Sequence, residues 1–226
     1  MKDHARGLLL TRPLDQSFHF LANCEALLGR RIEAVISPVI DIVATDSQPD
    51  LDAARTIVVT SGNAVRMLGA ALSGRDVATV GAATADLARS FGARARAVGE
   101  TAEEVIKNAR DLEAPVLVCR GVHARMDMAE ALNGLGIAAS SATIYDQVER
   151  PLSPEAKALL AEDRDLVAPV FSPRSAALLS CLPRQARMIV PAISRAAADA
   201  WSGPADIRVA NSPNAAAMAA LVTEAL

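Results

Sequence analysis

Aromatic residues are scarce in this chain of 226 residues: one Trp, one Tyr and four Phe. Ala, Leu and Val must therefore fill the core of a sequence that is 51% hydrophobic. That suits helices packed on sheets better than a β-sandwich, which draws on aromatic and β-branched residues. Long apolar runs are missing too. Stretches such as Ala215 to Val222 are short and Ala-rich, well below the ~20 residues a membrane-crossing helix needs. Met1 to Leu8 carries charge with no apolar segment behind it, so no signal peptide is read and the cytoplasm is the expected compartment. The three cysteines, Cys24, Cys119 and Cys181, are far apart and each has apolar neighbours, predicting buried reduced thiols. There is no CxxC and no His-x-x-x-His, and His4, His19 and His123 are scattered. A zinc site or a catalytic cysteine is not expected. A formal charge of −3 speaks against a general nucleic-acid binder but leaves room for an anionic small molecule met by local arginines. The sequence also lacks GxGxxG, GxxxxGK[ST] and Gly-x-Ser-x-Gly, so dinucleotide, P-loop and common α/β-hydrolase chemistry find no support.

What is present is alternation. Apolar strand candidates fall at Leu8–Thr11, Ile32–Ser37, Thr56–Thr60, Val77–Val80, Arg94–Val98, Pro115–Cys119, Leu166–Phe171, Met188–Ile193 and Ile207–Ala210. Helical patterns lie between most of them, as at Ala64–Leu72, Thr84–Phe91 and Glu103–Ala109. Strand–helix alternation predicts parallel sheets with helices on both faces.

The chain also repeats itself. Val59-Thr60-Ser61-Gly62-Asn63-Ala64 resembles Val170-Phe171-Ser172-Pro173-Arg174-Ser175, with Ser61 and Ser172 111 positions apart. Val80-Gly81-Ala82-Ala83-Thr84-Ala85-Asp86 resembles Ile193-Ser194-Arg195-Ala196-Ala197-Ala198-Asp199 at an offset of 113, and Thr101 matches Ser212 at 111 as helix N-caps. Thr101-Ala-Glu-Glu also fits a capping box. A fourth match breaks linear order: Val116-Leu117-Val118-Cys119-Arg120-Gly121 resembles Leu8-Leu9-Leu10-Thr11-Arg12-Pro13, each leading to a helix that ends near a glycine, Gly29 or Gly134. The fold class predicted is thus α/β with two similar lobes, each a parallel sheet flanked by helices, joined by a two-stranded β-ladder. One lobe is continuous, residues 45–140. The other is discontinuous, residues 1–37 with 152–226. The ladder, residues 38–44 and 141–151, carries the chain across twice, and hinge motion is expected there.

Ligands of open parallel sheets bind beyond the carboxyl ends of the strands. The repeated turns all lie there: Arg12-Pro13, Ser61-Gly62-Asn63, Gly81-Ala82-Ala83-Thr84, Arg120-Gly121, Ser172-Pro173-Arg174 and Ser194-Arg195-Ala196. Each is read as opening a helix, where free amides and small residues admit an anion. Arg12, Arg120, Arg174 and Arg195 recur at strand ends, with Arg66 and Arg125 a turn inside helices. Guanidinium groups bind carboxylates in bidentate fashion. If two such edges share a cleft, the site suits a multiply acidic ligand.

From Leu8 to Leu226 the chain resembles uroporphyrinogen-III synthases. The resemblance rests on Leu10-Thr11-Arg12-Pro13, Ser37-Pro38-Val39-Ile40-Asp41-Ile42, Val59-Thr60-Ser61-Gly62-Asn63-Ala64-Val65, Val80-Gly81-Ala82-Ala83-Thr84-Ala85, Val118-Cys119-Arg120-Gly121, Ile144-Tyr145 and Phe171-Ser172-Pro173-Arg174-Ser175-Ala176. No piece is specific alone; their order and spacing are. The resemblance implies a two-lobed lyase that closes hydroxymethylbilane to uroporphyrinogen III, with loss of water, inversion of the fourth ring, and no metal or cofactor. It implies no nucleic-acid or membrane partner, and a transient contact with the preceding pathway enzyme. Tyr145 matches a family tyrosine near the cleft and is the candidate catalytic donor; packing on the ladder is the alternative role. Thr84 matches a family cleft residue and either binds substrate or caps its helix. The chain departs from the pattern at Ser194-Arg195-Ala196-Ala197-Ala198, where the family carries a Gly-x-Thr-Ala-like turn, so Arg195 either binds a carboxylate or the site is weakened. Two other readings stand beside this one: a non-catalytic two-lobed binder of an anionic small molecule, and an interaction module of receiver-like lobes. The second lacks the usual acidic phosphoacceptor pattern, since Thr11 and Arg12 follow the first strand.

Overall fold

The computed structural model describes residues 6–124 and 126–226; His4 and Arg125, singled out above, lie outside them. Along the chain the elements are β1 (Gly7–Leu10), α1 (Leu14–Leu28), β2 (Ala34–Ile36), β3 (Ile40–Ala44), β4 (Thr56–Val59), α2 (Gly62–Leu68), β5 (Asp76–Val80), α3 (Ala82–Ser90), β6 (Arg94–Gly99), α4 (Ala102–Lys107), β7 (Val116–Gly121), α5 (Met128–Gly134), β8 (Ala139–Glu149), α6 (Pro154–Ala161), β9 (Asp165–Val167), α7 (Pro173–Ser180), β10 (Arg187–Ala192), α8 (Arg195–Asp199), β11 (Asp206–Val209) and α9 (Ala215–Ala225). Short 3-10 turns, Gly69–Leu72 and Ala109–Asp111, extend α2 and α4. Among the described residues no helix is long and apolar enough to cross a membrane.

The chain divides into two compact units, one ending at Asp41 and resuming at Glu149, the other running Ile42–Val148. The first holds a sheet of order β11-β10-β9-β1-β2, and the second a sheet of order β6-β5-β4-β7-β8 with β3 beyond β8. The paired registers in both are parallel. If β4, β5 and β6 are matched to β9, β10 and β11, and β7 and β8 to β1 and β2, the two strand orders become the same. That is the permuted repeat read from the sequence, now expressed as topology. The β3–β8 neighbours run antiparallel. The Arg150 amide donates to the Val39 carbonyl and the Thr45 amide to the Ile144 carbonyl, so positions rise on one strand as they fall on the other.

Each unit has its own core. In the first, Leu8, Leu10, Val167 and Ile189 project from one sheet face onto Phe20 and Cys24 of α1 and Met218, Ala219 and Val222 of α9. In the second, alternation along the strands feeds two clusters. Ile57, Val59, Leu117 and Cys119 meet Ala64, Ala85 and Tyr145 on one face. Val58, Ala78, Val116 and Val118 meet Val105, Met128 and Leu132 on the other. Burial on both faces explains the near-continuous apolar strands.

Several local expectations are corrected. The strand expected over Leu166–Phe171 ends at Val167 and leaves only an isolated Val170–Ala192 bridge, because Pro169 has no amide hydrogen to give the ladder. The cap of α9 is Asn214, whose side chain accepts from the Ala217 amide, and not Ser212. Thr101 does cap α4, but the Glu104 carboxylate accepts from the Glu100 amide, one residue earlier than a capping box requires. The helix expected to end near Gly134 does end there, with the left-handed turn two residues on at Gly136. Cys181 is exposed rather than buried, since it sits at the end of α7 where the chain turns away from the core; Cys24 and Cys119 are buried.

Candidate functional site

The carboxyl edge of the second unit gathers most of the predicted groups. Ser61 follows β4 in extended conformation and caps α2, its Oγ accepting from the Ala64 amide at 3.3 Å. That same Oγ lies 2.9 Å from the Tyr145 hydroxyl. Tyr145 stands on β8 directly opposite Gly121 of β7, at a register shift, with 6% of its surface exposed. Its ring lies where a side chain at 121 would be: a Cβ there would come within 2.6 Å of Tyr145 Cε2 and Cζ. Tyr145 therefore packs in the core and also presents a hydrogen-bonded phenol.

Arg120, the residue before Gly121, ends the apolar run of β7. Its Nε is sealed from solvent and has no hydrogen-bond partner among the described residues. A buried unpaired donor costs about 1–3 kcal/mol, more when charged. The Arg120-Gly121 pair does not open a helix as expected. Residues 122–127 intervene before α5, which is capped by the Asp127 side chain; within them His123 Nε2 lies 3.1 Å from the Asp146 carboxylate. Sequence reading missed that pair, Asp146 being 23 positions further on.

Gly81 caps α3 at φ 74 with no side-chain cap, a conformation that favours glycine. The amides of Ala82, Ala83 and Thr84 thus open the helix without a side-chain cap, since Ala85 is the first to bond back to Gly81, and Glu100 Oε2 stands 3.7 Å from where a Cβ on Gly81 would be. Thr84 lies inside the helix and does not cap it, which removes one of its two expected roles. Gly62 and Asn63 form the first turn of α2, and Arg66 follows on the same helix, its Nη1 3.0 Å from where a Cβ on Gly62 would stand.

At the carboxyl edge of the first unit, Arg12 follows β1 with its guanidinium 4.0 Å from the Phe171 ring centroid and Nη2 donating to Gln16 Oε1 at 2.7 Å. Phe20 meets the same ring edge-on, centroids 5.0 Å apart. Arg12 is thus held over an aromatic platform, a support that nothing in sequence spacing announced. Ser172 caps α7, accepting from the Ser175 amide at 3.1 Å, with Pro173 in the first turn. Arg174 pairs with Glu149 at 3.3 Å. Ser194 caps α8, accepting from the Ala197 amide at 3.3 Å, and Arg195 is exposed at the first helical position.

A cavity of about 740 Å³ lies elsewhere, at the amino ends of β9, β10 and β11, lined by Arg6, Asp165, Arg184, Arg187, Asp206 and Arg208 among others. Its charges are answered internally: Arg187 pairs with Asp163 and Asp165, and Arg208 with Asp206. The Arg120 Nε and the uncapped amides at the start of α3 lie at the opposite, carboxyl end of the strands of the second unit. Among the described residues no three His, Cys, Asp or Glu gather as a metal cluster.

Residues 24–222 match the protein family described as uroporphyrinogen-III synthase HemD. No curated protein matches the sequence. Among solved structures, the chain is similar to the uroporphyrinogen-III synthetase of Helicobacter pylori, with TM-score 0.65 and 14% identity over 98% of this chain and 100% of that one. It is also similar to a mutant uroporphyrinogen III synthase of the extremely thermophilic bacterium Thermus thermophilus, with TM-score 0.53 and 17% identity over 98% of each chain. At such identities the two structures speak for the fold alone.

Proposed function

Because the chain belongs to the uroporphyrinogen-III synthase family, we propose that it closes hydroxymethylbilane to uroporphyrinogen III as a cofactor-independent hydro-lyase of tetrapyrrole biosynthesis, acting in the cytoplasm. The observation that carries the site assignment is the Arg120 guanidinium, placed at a strand end with Nε buried and unpartnered. A carboxylate arm of the substrate supplies the missing acceptor, and two charged hydrogen bonds from one guanidinium fix its orientation.

The reaction itself asks little of the protein. The bond from the terminal methylene carbon to its hydroxyl breaks as the pyrrole nitrogen pushes electrons toward that carbon, leaving an azafulvene. The departing hydroxyl takes a proton and leaves as water. The substituted carbon of the last ring then attacks in place of its unsubstituted neighbour, and a spiro intermediate rearranges to the inverted ring. Orientation decides between this route and direct closure. Tyr145 donates the hydrogen bond to the departing hydroxyl. Arg120 and the amides of Gly62, Asn63, Gly81, Ala82, Ala83 and Thr84 hold acetate and propionate arms. In the first unit the strand-end groups Arg12, Ser172, Pro173, Arg174, Ser194 and Arg195 offer donors of the same kind for a carboxylate, with Arg195 taking the place of the family's hydroxyl-bearing turn.

The test is to supply hydroxymethylbilane and separate the isomers formed. Uroporphyrinogen III above the spontaneous background is expected; type I product alone, at the spontaneous rate, rejects the proposal.

A further inference from the structure

Arg12 is held from several sides within the first unit. The Ser17 hydroxyl donates to its backbone carbonyl at 2.9 Å, and Ser17 is fully buried in α1. Arg12 Nη2 donates to Gln16 Oε1 at 2.7 Å. The guanidinium carbon stands over the Phe171 ring, 4.0 Å from its centroid. Phe171 is itself braced. Phe20 meets it edge-on at 82°, and it packs against the core that holds Leu10, Phe20 and Cys24. Gln16 and Phe20 are one turn apart on α1, so one helix face carries both supports. The ring attracts the cation through its quadrupole and consumes none of its N–H donors. Fixing a long side chain costs entropy that a ligand must otherwise meet on binding; here the fold has already met much of it. The repeat offers no such ring in the second unit. Ser172 matches Ser61, and the residue before Ser61 is Thr60 where the first unit has Phe171. Arg120, the counterpart of Arg12, is enclosed instead, its Nε buried.

We infer that Phe171 is a positioning residue for Arg12: its ring, braced by Phe20, sets the guanidinium at the end of β1 where it receives a substrate carboxylate. Phe171 acts through Arg12 and touches no reacting atom. The ligand role of Arg12 rests on the cyclisation proposed above; the hold of Phe171 on Arg12 does not.

Fluorination of the ring separates this role from packing. Placing 4-fluoro-, 3,5-difluoro- and 3,4,5-trifluorophenylalanine at position 171 keeps an aromatic side chain of nearly the same shape while drawing electrons from its face in steps, which weakens its attraction for a cation. KM for hydroxymethylbilane is expected to rise along the series, reaching about 2- to 5-fold, the worth of a cation–π contact, with kcat within about 2-fold. Phe171→Leu raises KM by at least as much, and on an Arg12→Ala background it adds nothing. A KM indifferent to fluorination, or a Phe171→Leu loss of equal size without Arg12, assigns the ring to packing and overturns the inference. A second measurement needs no substrate. With 15N-labelled arginine, the Arg12 Nε–H resonance, identified by its loss in Arg12→Lys, is expected upfield of its ordinary position because of the ring current beneath it, and Phe171→Leu moves it back. A wild-type resonance without that shift, or one that Phe171→Leu leaves in place, also overturns the inference. A wild-type protein without isomer III activity defeats the proposed reaction and leaves the resonance to decide whether Phe171 holds Arg12.

Discussion

The Arg120 guanidinium ends an interior strand with its Nε buried and without an acceptor among the described residues, which costs stability in the free protein. Arg120→Ala is therefore expected to leave the melting temperature unchanged or raised, while KM for hydroxymethylbilane rises about 10- to 100-fold, as loss of a charged hydrogen bond implies, and kcat falls by less. A kcat loss at constant KM would contradict the anchoring role, and a lowered melting temperature would mean that the side chain serves the fold. The cysteines divide in a similar way. Burial pushes the Cys119 thiol up to about 12, and burial with the neighbouring Glu25 charge does the same for Cys24, so at pH 8 both stay protonated and inert. One thiol, Cys181, is expected to react quickly with a colorimetric disulfide reagent in the native protein, and all three in denaturant; two or more fast native thiols would refute the burial. At this scale the sequence marked Arg120 and Tyr145 by type and place. It could not show the Gly121 seat or the Phe171 platform, because each pairs residues far apart in the chain through a register or a face that only packing decides.

Helix starts were the more legible features. Thr101 caps as its spacing suggested, and Ser61, Ser172 and Ser194, read only as parts of helix-opening turns, cap their helices as well. The exception is instructive. Ser153-Pro154 and Ser172-Pro173 place a cap before a first-turn proline, and Ser212-Pro213 has the same form. There Asn214 follows and takes the cap, its side chain accepting from the Ala217 amide at 2.9 Å. Asparagine is at least as good a cap as serine, and propensity alone could not choose between starts two residues apart. Asn214→Ala is expected to cost about 1 kcal/mol of stability and Ser212→Ala only a few tenths, measured by denaturant midpoint. The reverse order would restore the original reading of that turn. Strand positions were read well because burial on both faces leaves an unbroken apolar signal. The shortened β9 was not, since Pro169 interrupts the ladder between Ala168 and Val170, whose amides still reach the Ile189 and Pro191 carbonyls of β10.

The two units carry separate cores and, by chance of composition, separate reporters: the lone Trp201 lies in the first and the lone Tyr145 in the second. Leu132, fully buried in the second unit, can be cut to Ala at a cost of about 2–5 kcal/mol. Ellipticity is then expected to fall at lower denaturant while the Trp201 emission midpoint moves less. Coincident shifts in both signals would mean the chain unfolds as one cooperative body. The repeat that made this division readable also sets a problem for the protein as it is made. Leu8, Leu9 and Leu10 have no exposed surface once folded, yet their strand pairs on one side with residues 166 and 167, roughly 160 positions later. At ribosomal speeds of about 5–20 residues per second, this oily stretch of the nascent chain waits on the order of ten to thirty seconds for that neighbour. The interval is one in which a chaperone, or an unwanted second molecule, has first access to it.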